Sequence, residues 1–513
     1  MNMKVLSCKA VSSSLLMALS LGVIAGCGGD NPQPQAAGSE PKAPTDLKVQ
    51  FMVPSYADVP NMNDEYWSKF QKESKSQLEV EWIPSGDYDT KFDLVLASGN
   101  IPEVLVAGNI TRPTLQNAVK QGAFWDLAPF LGDFSKYPNL KNNSYKEVWN
   151  YMKSEGGIYG VPRNRPQIDI SLKMRKDWLD KFKLPVPTTL DEYTAALKTI
   201  VNGDPDGNGK KDTIGLIGQG FLLADGDGSF LSAFGGLDPV YDKEGGLINK
   251  NLTSNYTDMV AYFRQLYTDG ILAKDFSAIK QTQAEEMYTT GRAASYARNV
   301  WRDFTFEQGI KKVQPEGEVI SLPPMKGPGG VSVQLSVPFS GAFYISKKVP
   351  EEKVKQILDF FERTTTMEQT DYNYYGIEGV HYTMVEGQQQ LTDLGKKQVT
   401  ANGTGAIFPL AYNNKMKVIN PAAPKVYNDA KSASVESYSK VGKIDFFSII
   451  NSNTWISIWP KYNSEWQSMV VKAIVGQISM DEYKAYVDKL NNSAEFKKAY
   501  QEFAKEYKEK IGS

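Results

Sequence analysis

Apolar and polar residues alternate over residues 47–53, a period of two that predicts a β-strand. Aromatic residues with helical spacing follow at 66–70, and residues 78–83 alternate again. Residues 91–99 predict a helix that ends on a glycine, and residues 102–107 predict a short apolar strand. This succession of strands and helices is typical of an α/β domain with a mostly parallel sheet.

The first predicted strand is not followed by the G-x-G-x-x-G phosphate loop of dinucleotide-binding domains. Residues 54–58 follow it instead, at the carboxyl end where ligands of open α/β sheets bind. Further helices are predicted from a capping-box spacing at 189–192, from the apolar period of 257–267, and from residue 463 onward. No repeat of fixed period is present.

The N-terminus has the layout of a secretory signal. Two lysines precede an apolar run over residues 11–24, and two small residues lead directly to Cys27. The sequence IAGC at this point resembles a bacterial lipobox, in which the cysteine is acylated and becomes the mature N-terminus. An ordinary secretory signal that contains a cysteine is the alternative. Residues 1–26 are therefore predicted to be a lipoprotein signal peptide, and residues 27–45, rich in Gly and Pro, a disordered tether.

Composition argues against several classes of function. The 57 basic and 59 acidic side chains give a net charge of -2 without a long basic cluster, so a nucleic-acid partner has no electrostatic basis. Cys8 lies in the predicted signal and Cys27 would carry the lipid, which leaves no disulfide. The single histidine, His381, argues against zinc and Ser-His-Asp chemistry. The 27 tyrosines and 9 tryptophans provide flat rings that can stack on a ligand.

Seven segments carry a resemblance to a known family. They are KFDLVLASGNIPEV (91–104), LQNAVKQGAFWDLAPFL (115–131), GGIYGVPRNRP (156–166), LKMRKDWLDKFKLPVPTTLDEY (172–193), YTTGRAASYARNVW (288–301), YYGIEGVHY (374–382) and the C-terminal helix that begins near Trp466. They resemble the extracellular solute-binding proteins of carbohydrate ABC transporters, in the long lipoprotein subgroup of Gram-positive bacteria related to alginate-oligosaccharide binders. The resemblance spans nearly the whole mature chain.

The resemblance implies two α/β lobes of the type II periplasmic-binding-protein-like fold, with sugar bound in the cleft and the lobes closing by a hinge. The implied lobes are residues 46–168 with 337–400 and residues 169–336 with 401–513. Crossing strands are expected near 167–172 and near 333–336. The implied protein is a monomer without enzymatic activity, lipid-anchored on the extracellular face of the cell membrane. It would deliver an oligosaccharide to the permease subunits of an ABC importer.

Residues 204–212 read DPDGNGKKD, with side-chain oxygens at positions one, three, five and nine and glycine at position six. A hard cation such as Ca²⁺ needs several oxygens at short range, and Gly209 permits the sharp turn. The predicted ligands are Asp204, Asp206, Asn208, Asp212 and the carbonyl of Lys210. The loop resembles the calcium site of the alginate-binding relatives, which implies a structural Ca²⁺. Position twelve is Gly215 rather than Glu, and a solvated turn without metal is the alternative.

Sugars present apolar C–H faces and an equator of hydroxyls, so their sites pair flat rings with polar groups. In the implied fold, candidates of the N-terminal lobe are Tyr56, Asp87, Tyr88, Asn109, Arg163, Asn164 and Arg165. Candidates elsewhere are Arg298, Asn299 and Trp301, which follow a predicted strand, together with Tyr375 and Trp455. Trp301 is the foremost stacking platform. Trp455 and Trp459 share one helix, and the spacing predicts that one packs in the core and the other faces the cleft.

Two other functions and two kinds of ligand stay open. A peptide-binding importer component would hold an extended backbone by main-chain hydrogen bonds. A glycan-acting enzyme would need two carboxylates at a defined separation, and nothing in the sequence selects such a pair. The abundant aromatic residues favour a neutral oligosaccharide, whereas Arg163 and Arg165 are compatible with an acidic, uronate-containing glycan.

Overall fold

The computed structural model describes residues 46–56, 58–168, 170–223, 227–399, 403–413, 419–420 and 423–512. The predicted signal peptide (1–26), Cys27 and the predicted tether (27–45) lie outside the described residues. No helix of the described part is long and apolar enough to cross a bilayer.

The strands are β1 (Leu47–Ser55), β2 (Ser76–Pro84), β3 (Val104–Ala107), β4 (Lys153–Ser154), β5 (Gly157–Ile158), β6 (Gly160–Asn164), β7 (Ile170–Arg175), β8 (Ile214–Leu216), β9 (Ala293–Asn299), β10 (Val319–Ser321), β11 (Lys326–Gly327), β12 (Gly330–Val331), β13 (Val333–Leu335), β14 (Phe339–Ile345), β15 (Tyr382–Val385), β16 (Gln388–Leu391) and β17 (Gly442–Ile444).

The α-helices are α1 (Glu65–Ser74), α2 (Ser85–Ser98), α3 (Pro113–Lys120), α4 (Ala128–Leu131), α5 (Pro138–Asn142), α6 (Val148–Tyr151), α7 (Lys176–Lys181), α8 (Leu190–Asn202), α9 (Asp227–Ala233), α10 (Ser254–Thr268), α11 (Gln281–Thr289), α12 (Arg302–Lys311), α13 (Glu351–Thr364), α14 (Met367–Tyr375), α15 (Asp393–Gln398), α16 (Lys425–Val441), α17 (Asn453–Ile474), α18 (Met480–Asn491) and α19 (Ala494–Lys510). Short 3-10 turns lie at Lys250–Leu252, Thr404–Ala406 and Phe446–Ser448.

The first elements predicted from sequence are confirmed, and local chemistry explains their limits. The Asp64 carboxylate caps α1 by accepting a hydrogen bond from the Trp67 amide at 2.9 Å. Lys75 ends the helix in the left-handed conformation, and β2 begins one residue later. Trp67 and Phe70 are fully buried. The apolar face of α1 therefore covers the first sheet.

The first sheet has the strand order β2-β1-β3-β14-β6. Strand β1 pairs in parallel with β2 and β3, and β14 runs antiparallel between β3 and β6, so four of its strands share one direction. Its core contains Phe51 and Phe343, whose ring centroids lie 6.5 Å apart. Ile407, Phe408 and Leu410 also belong to this core. The resemblance places residues 401–513 in the C-terminal lobe, whereas this segment packs on the first sheet, with Phe408 stacked on Phe70.

The second sheet has the order β10-β7-β9-β8, with β7 opposed to the other three strands. A separate core covers it and includes side chains of α8, α10, α17, α18 and α19. The predicted helix start at Thr189 is confirmed, because the Thr189 hydroxyl accepts a hydrogen bond from the Glu192 amide at 3.1 Å. The Glu192 carboxylate accepts from the Thr188 amide at 2.8 Å. Two sheets with separate cores make this the expected two-lobed α/β architecture.

Three segments of the described chain lie at the junction of the two lobes, and each is called a connection below. The first runs from β6 to β7 and the second from β13 to β14, and they lie side by side through the bond from the Ser336 amide to the Gln167 carbonyl at 2.7 Å. The third follows β17, which pairs in parallel with β13. Phe446 belongs to the second core and Ile449 to the first, so this segment contacts both lobes.

Candidate ligand-binding cleft

Several strands of the first sheet begin or end at the same side of the sheet. The carboxyl ends of β1 and β3 meet the amino end of β14, because Phe51 pairs with Val104 and Ala107 with Ala342. The Tyr88 hydroxyl of α2 links these two strands, because it shares its single proton between the carbonyls of Met52 in β1 at 3.0 Å and Val106 in β3 at 2.7 Å. A cavity of about 480 Å³ opens here, lined by Gly108, Asn109, Ile110, Thr111, Arg165, Pro166, Ser336, Val337, Phe339, Ser340, Gly341, Phe447 and Ser448.

Gly341 shapes the wall of this cavity. Its φ is +76°, and a Cβ atom there would lie 1.9 Å from the Ala107 carbonyl oxygen. The pairing of β14 with β6 shifts register between Phe339 and Ala342 at the same place. Only glycine combines this backbone conformation with so close an approach to β3. The irregularity places Ser340 and Gly341 in the cavity wall instead of continuing a regular ladder.

Arg165 brings a positive charge to the cavity. It follows β6, and its amide donates to the Pro338 carbonyl at 3.0 Å, which fixes it beside the second connection. Its guanidinium donates to the carbonyls of Asn164 at 2.7 Å and Gly405 at 3.4 Å. The residue is half-buried and lines the cavity.

Arg163 lies behind Arg165 and is 4% exposed. Its guanidinium donates to the carbonyls of Ser340 at 3.2 Å and Gly405 at 3.3 Å, and it also bonds to the Tyr56 hydroxyl. Burial, together with the positive charge of Arg165, lowers the pKa of Arg163 to about 10. The two predicted arginines are therefore neighbours in the structure.

Three other predicted residues of this lobe have different surroundings. Tyr56 follows β1 and is 62% exposed, so much of its ring is accessible. Asp87 is exposed in the first turn of α2. The Asn109 carboxamide oxygen accepts from the amide and the hydroxyl of Thr111 at 2.9 and 2.8 Å. Asn109 lines the cavity.

Asn164 is almost fully buried and holds neighbouring segments together. Its amide nitrogen donates to the Ser144 hydroxyl at 3.0 Å and to the Leu410 carbonyl at 2.8 Å. Tyr375 is 6% exposed, with its ring centroid 5.9 Å from that of Tyr382. These contacts give both side chains a structural role in the described part of the chain.

The predicted residues of the second lobe lie near the end of β9. Arg298 forms an ion pair with Glu285 at 3.0 Å, and Asn299 is buried where β9 meets the start of β7. Trp301 is half-buried at the start of α12, and its carbonyl accepts a hydrogen bond from Asn420 at 3.4 Å. The end of β9 is adjacent to the first connection, so these residues lie close to the junction of the lobes.

Trp455 and Trp459 pack on each other, with centroids 4.4 Å apart and planes inclined by 15°. Both contact the second core, and Trp455 also lies 5.7 Å from the ring of Phe496. The predicted division, one ring in the core and one in the cleft, is not what the packing shows. Helix α17 presents both indoles to α19, because residues four apart lie on one helix face.

Sequence reasoning missed the third connection as part of the site. Phe447 and Ser448 line the cavity although they lie more than 280 residues after Arg165 in the chain. Phe446 and Phe447 are adjacent aromatic residues, but aromatic pairs are frequent in this chain and do not mark a cavity wall. Only the folded arrangement brings this turn to the edge of the first sheet.

A buried charge cluster was also missed. Asp303 forms ion pairs with Lys173 at 2.6 Å and with Lys431 at 2.5 Å. Burial raises the pKa of Asp303, but the two lysine charges outweigh it and the net shift is downward. Burial lowers the pKa of Lys173 to about 8 despite the attraction of Asp303. The cluster joins α16 to β7 and α12, and its cations are already paired.

The predicted calcium loop is exposed and forms its own hydrogen bonds. The Asp204 carboxylate accepts from the amides of Asn208 and Gly209 at 3.1 and 3.0 Å. The side-chain amide nitrogen of Asn208 (Nδ2) donates to the carboxylates of Asp206 at 2.8 Å and Asp212 at 3.2 Å. Partial burial raises the pKa of Asp206, and the negative charges of Asp204 and Asp212 add to that shift.

The side chains of this loop supply the oxygen ligands that Ca²⁺ prefers. The carboxylates of Asp206 and Asp212 both accept a hydrogen bond from the side-chain amide of Asn208. Among the described residues, however, no three Asp, Glu, His or Cys side chains form a group that could hold a metal ion. The residues of the loop at 204–212 therefore have the type and spacing that a Ca²⁺ site needs, but in this structure their carboxylates do not surround a common point.

Comparison with known proteins identifies the family. The model of the bacterial extracellular solute-binding proteins matches residues 65–380, more than half of the chain. The chain belongs to that family. This solute-binding protein is 29% identical over 497 residues to the polygalacturonan/rhamnogalacturonan-binding protein YtcQ of Bacillus subtilis (strain 168), covering 90% of this chain and 96% of YtcQ.

Solved structures confirm the fold of the solute-binding protein. A solute-binding protein of Bifidobacterium longum infantis, associated with an ABC transporter that binds HMO, superposes with a TM-score of 0.69 at 17% identity, covering 90% of this chain and 99% of that one. The alginate-binding protein AlgQ2, solved without calcium ion, gives 0.64 at 18% identity, covering 90% and 98%. The expected family and two-lobed fold are therefore confirmed.

Proposed function

We propose that this solute-binding protein captures an oligosaccharide at the junction of its two lobes and delivers it to the permease subunits of an ABC importer. The observation that carries the proposal is the cavity at the edge of the first sheet, whose wall includes the third connection at Phe447. A ligand bound there touches one lobe and a connecting segment at once. Its binding energy can therefore favour one relative position of the lobes.

The chemistry of the cavity suits a sugar. Asn109 and Arg165 supply donors, Thr111 and Ser340 supply hydroxyl groups, and the Phe447 ring supplies an apolar surface. Tyr56 and Trp301 are proposed to stack on further sugar units, because each keeps part of its ring accessible. The three connections are proposed as the hinge.

A catalytic function has less support. Hydrolysis of a glycoside requires two carboxyl groups about 5–10 Å apart on either side of the bond. Among the residues that the structure describes, those that line the cavity include no Asp or Glu. A peptide ligand would pair as a further strand alongside an outer strand such as β2, whereas the cavity lies where the strands of the first sheet end and side chains and loops make the contacts.

The membrane anchor and the calcium ion are separate parts of the proposal. Diacylated Cys27 would hold the mature protein on the outer face of the membrane, since two acyl chains give stable anchoring where one does not. Replacing Cys27 by Ala should release the protein or leave it unprocessed. A membrane-bound fraction equal to that of the wild type would exclude the lipid anchor.

The loop at 204–212 is proposed to hold a structural Ca²⁺ through the five ligands predicted from its sequence. A bound ion stabilises the native state by mass action, so a chelator should lower the melting temperature. The double variant Asp204→Ala/Asp206→Ala should melt at one temperature with or without calcium. Equal melting of the wild-type protein in calcium and in chelator would reduce the loop to a hydrogen-bonded turn.

Isothermal titration calorimetry tests the main proposal. The mature protein should bind members of a set of plant-wall and bacterial oligosaccharides and should bind no member of a mixed peptide library. Trp301→Ala should weaken sugar binding by about 1–3 kcal/mol through the loss of one stacked ring. Binding of peptides alone would reject the carbohydrate function, and release of sugar fragments during incubation would indicate an enzyme.

A further inference from the structure

Arg163 and Arg165 converge on a single acceptor. Their guanidinium groups donate to the same Gly405 carbonyl oxygen, at 3.3 and 3.4 Å. That carbonyl belongs to a fixed turn, because the Gly405 amide donates to the Asn373 side chain at 2.6 Å and the Thr404 amide donates to the Tyr66 hydroxyl at 3.1 Å. The two positive charges are therefore held close together by the fold.

No carboxylate of the described residues forms an ion pair with either guanidinium. Their acceptors are the backbone carbonyls of Asn164, Ser340 and Gly405 and the Tyr56 hydroxyl. The buried Nε of Arg163 has no acceptor in the described structure. The cations near the end of β9 differ, because Arg298 is paired with Glu285.

Two like charges at close range repel each other, and the repulsion is strong where burial excludes water. A protein normally places a carboxylate beside such a pair. Here Arg165 lines the cavity, and the described residues that line it include no Asp or Glu. An anionic group of a ligand in this cavity would supply the missing negative charge.

We propose that the Arg163–Arg165 pair is a carboxylate subsite that makes the cleft selective for oligosaccharides containing uronic acid. The inference rests on the proposed oligosaccharide function and adds the class of sugar. Arg165 would contact the carboxylate directly, since it lines the cavity, is only half-buried, and has a planar fork that matches a carboxylate in two parallel hydrogen bonds. Arg163 would add its charge from behind and keep Arg165 in position through the shared carbonyl.

A matched pair of ligands tests the subsite by calorimetry on the mature protein. The acid ligands are trimers of galacturonate, guluronate and mannuronate, and the controls are their methyl esters, which keep the sugar and lose the charge. The acid form should bind about 10- to 100-fold more tightly than its ester, as expected for one charge-assisted contact. Its affinity should fall with added salt, while the affinity of the ester should not change.

Arg165→Gln should lose this preference, so that acid and ester bind with the affinity of the ester. Arg163→Lys keeps the buried positive charge and should retain part of the preference for the acid form over the ester. It provides a second test if Arg165→Gln fails to fold. Arg363→Gln is the matched control, because Arg363 donates to the Ser74 carbonyl at the opposite edge of the first sheet. This control should behave like the wild type.

The outcomes separate the subsite from the general function. Equal binding of acid and ester by the wild type, or an acid preference that survives Arg165→Gln, would overturn the subsite. Binding of neutral trisaccharides alone would also overturn it and would leave the oligosaccharide function standing. Binding of free citrate or phosphate as tightly as the acid trimer would show a general anion site and reject the sugar-specific role. Failure of every glycan to bind would reject both proposals.

Discussion

Replacement of Gly341 by alanine tests whether the wall of the cleft depends on one close backbone approach. The added Cβ would lie 1.9 Å from the Ala107 carbonyl oxygen and 2.8 Å from the Gly108 Cα, both in the backbone at the end of β3. Because β3 lies in the middle of the first sheet, it cannot move away without disturbing β1 and β14. Strand β14 must therefore shift by about 1 Å to relieve the contact.

Two costs contribute to the expected loss of stability. Alanine at φ +76° costs about 1–2 kcal/mol relative to glycine. The displaced strand weakens hydrogen bonds to β3 around the Ala342–Ala107 pair, at about 1 kcal/mol for each bond. Together they predict a loss of about 2–4 kcal/mol in the free energy of unfolding. The same displacement moves Ser340 in the cavity wall and should weaken ligand binding.

Gly330→Ala is the matched control. Gly330 has a φ of +97°, but a Cβ there would meet nothing within 4 Å. The Gly330→Ala variant therefore has the strain of alanine at a positive φ without a steric clash of the added Cβ. Urea unfolding followed by tryptophan fluorescence should show a larger loss for Gly341→Ala, and calorimetry should show weaker ligand binding for that variant only. Equal losses of stability in the two variants, with unchanged binding in both, would refute the reasoning.

Three further predictions concern the charge cluster at Asp303, the second core and the buried Tyr66. Asp303→Asn should destabilise the protein by about 3–5 kcal/mol in urea unfolding, because Lys173 keeps a buried charge without its partner. Glu81→Gln removes one partner of the exposed Lys91–Glu81 pair and should cost less than about 1 kcal/mol. Trp455→Ala should lower stability by about 2–4 kcal/mol and leave sugar affinity unchanged, which calorimetry and thermal melting can compare directly. Burial raises the pKa of Tyr66 from 10.0 to about 12, so the stability that its neutral form contributes is complete below pH 10 and is lost between pH 10 and 12. The melting temperature should therefore fall over that range. A constant melting temperature would contradict the reasoning.

The proposed subsite illustrates how burial gives a charge a function. An exposed arginine is screened and hydrated, and its contribution to binding is small. Arg163 is 4% exposed and Arg165 is half-buried beside it, so the positive potential of the pair is directed into the cavity. The same pair in a solvated loop would carry no comparable selectivity. The Gly405 carbonyl accepts hydrogen bonds from both arginines and so holds them together, which makes its position as important to the subsite as the arginines themselves.

Local sequence patterns determined the elements of the first lobe and the positions of several helix starts. The alternation at 47–53, the capping signal at Thr189 and the arginines after Pro162 all depend on neighbours within a few residues. Such patterns act through backbone hydrogen bonds and side-chain periodicity, which a sequence records directly. The resemblance of seven segments added the two-lobed fold and the family.

Only the tertiary structure decided which of these residues meet. Gly405 lies about 240 residues after the arginines that it joins, and Phe447 reaches the cavity through a third connection with no distinctive local pattern. The indoles of Trp455 and Trp459 both pack on the second core because α19 covers that face of α17, a contact that helical spacing alone cannot assign. Contacts between distant segments depend on how whole elements pack, and packing is a property of the folded chain that no short stretch of sequence contains.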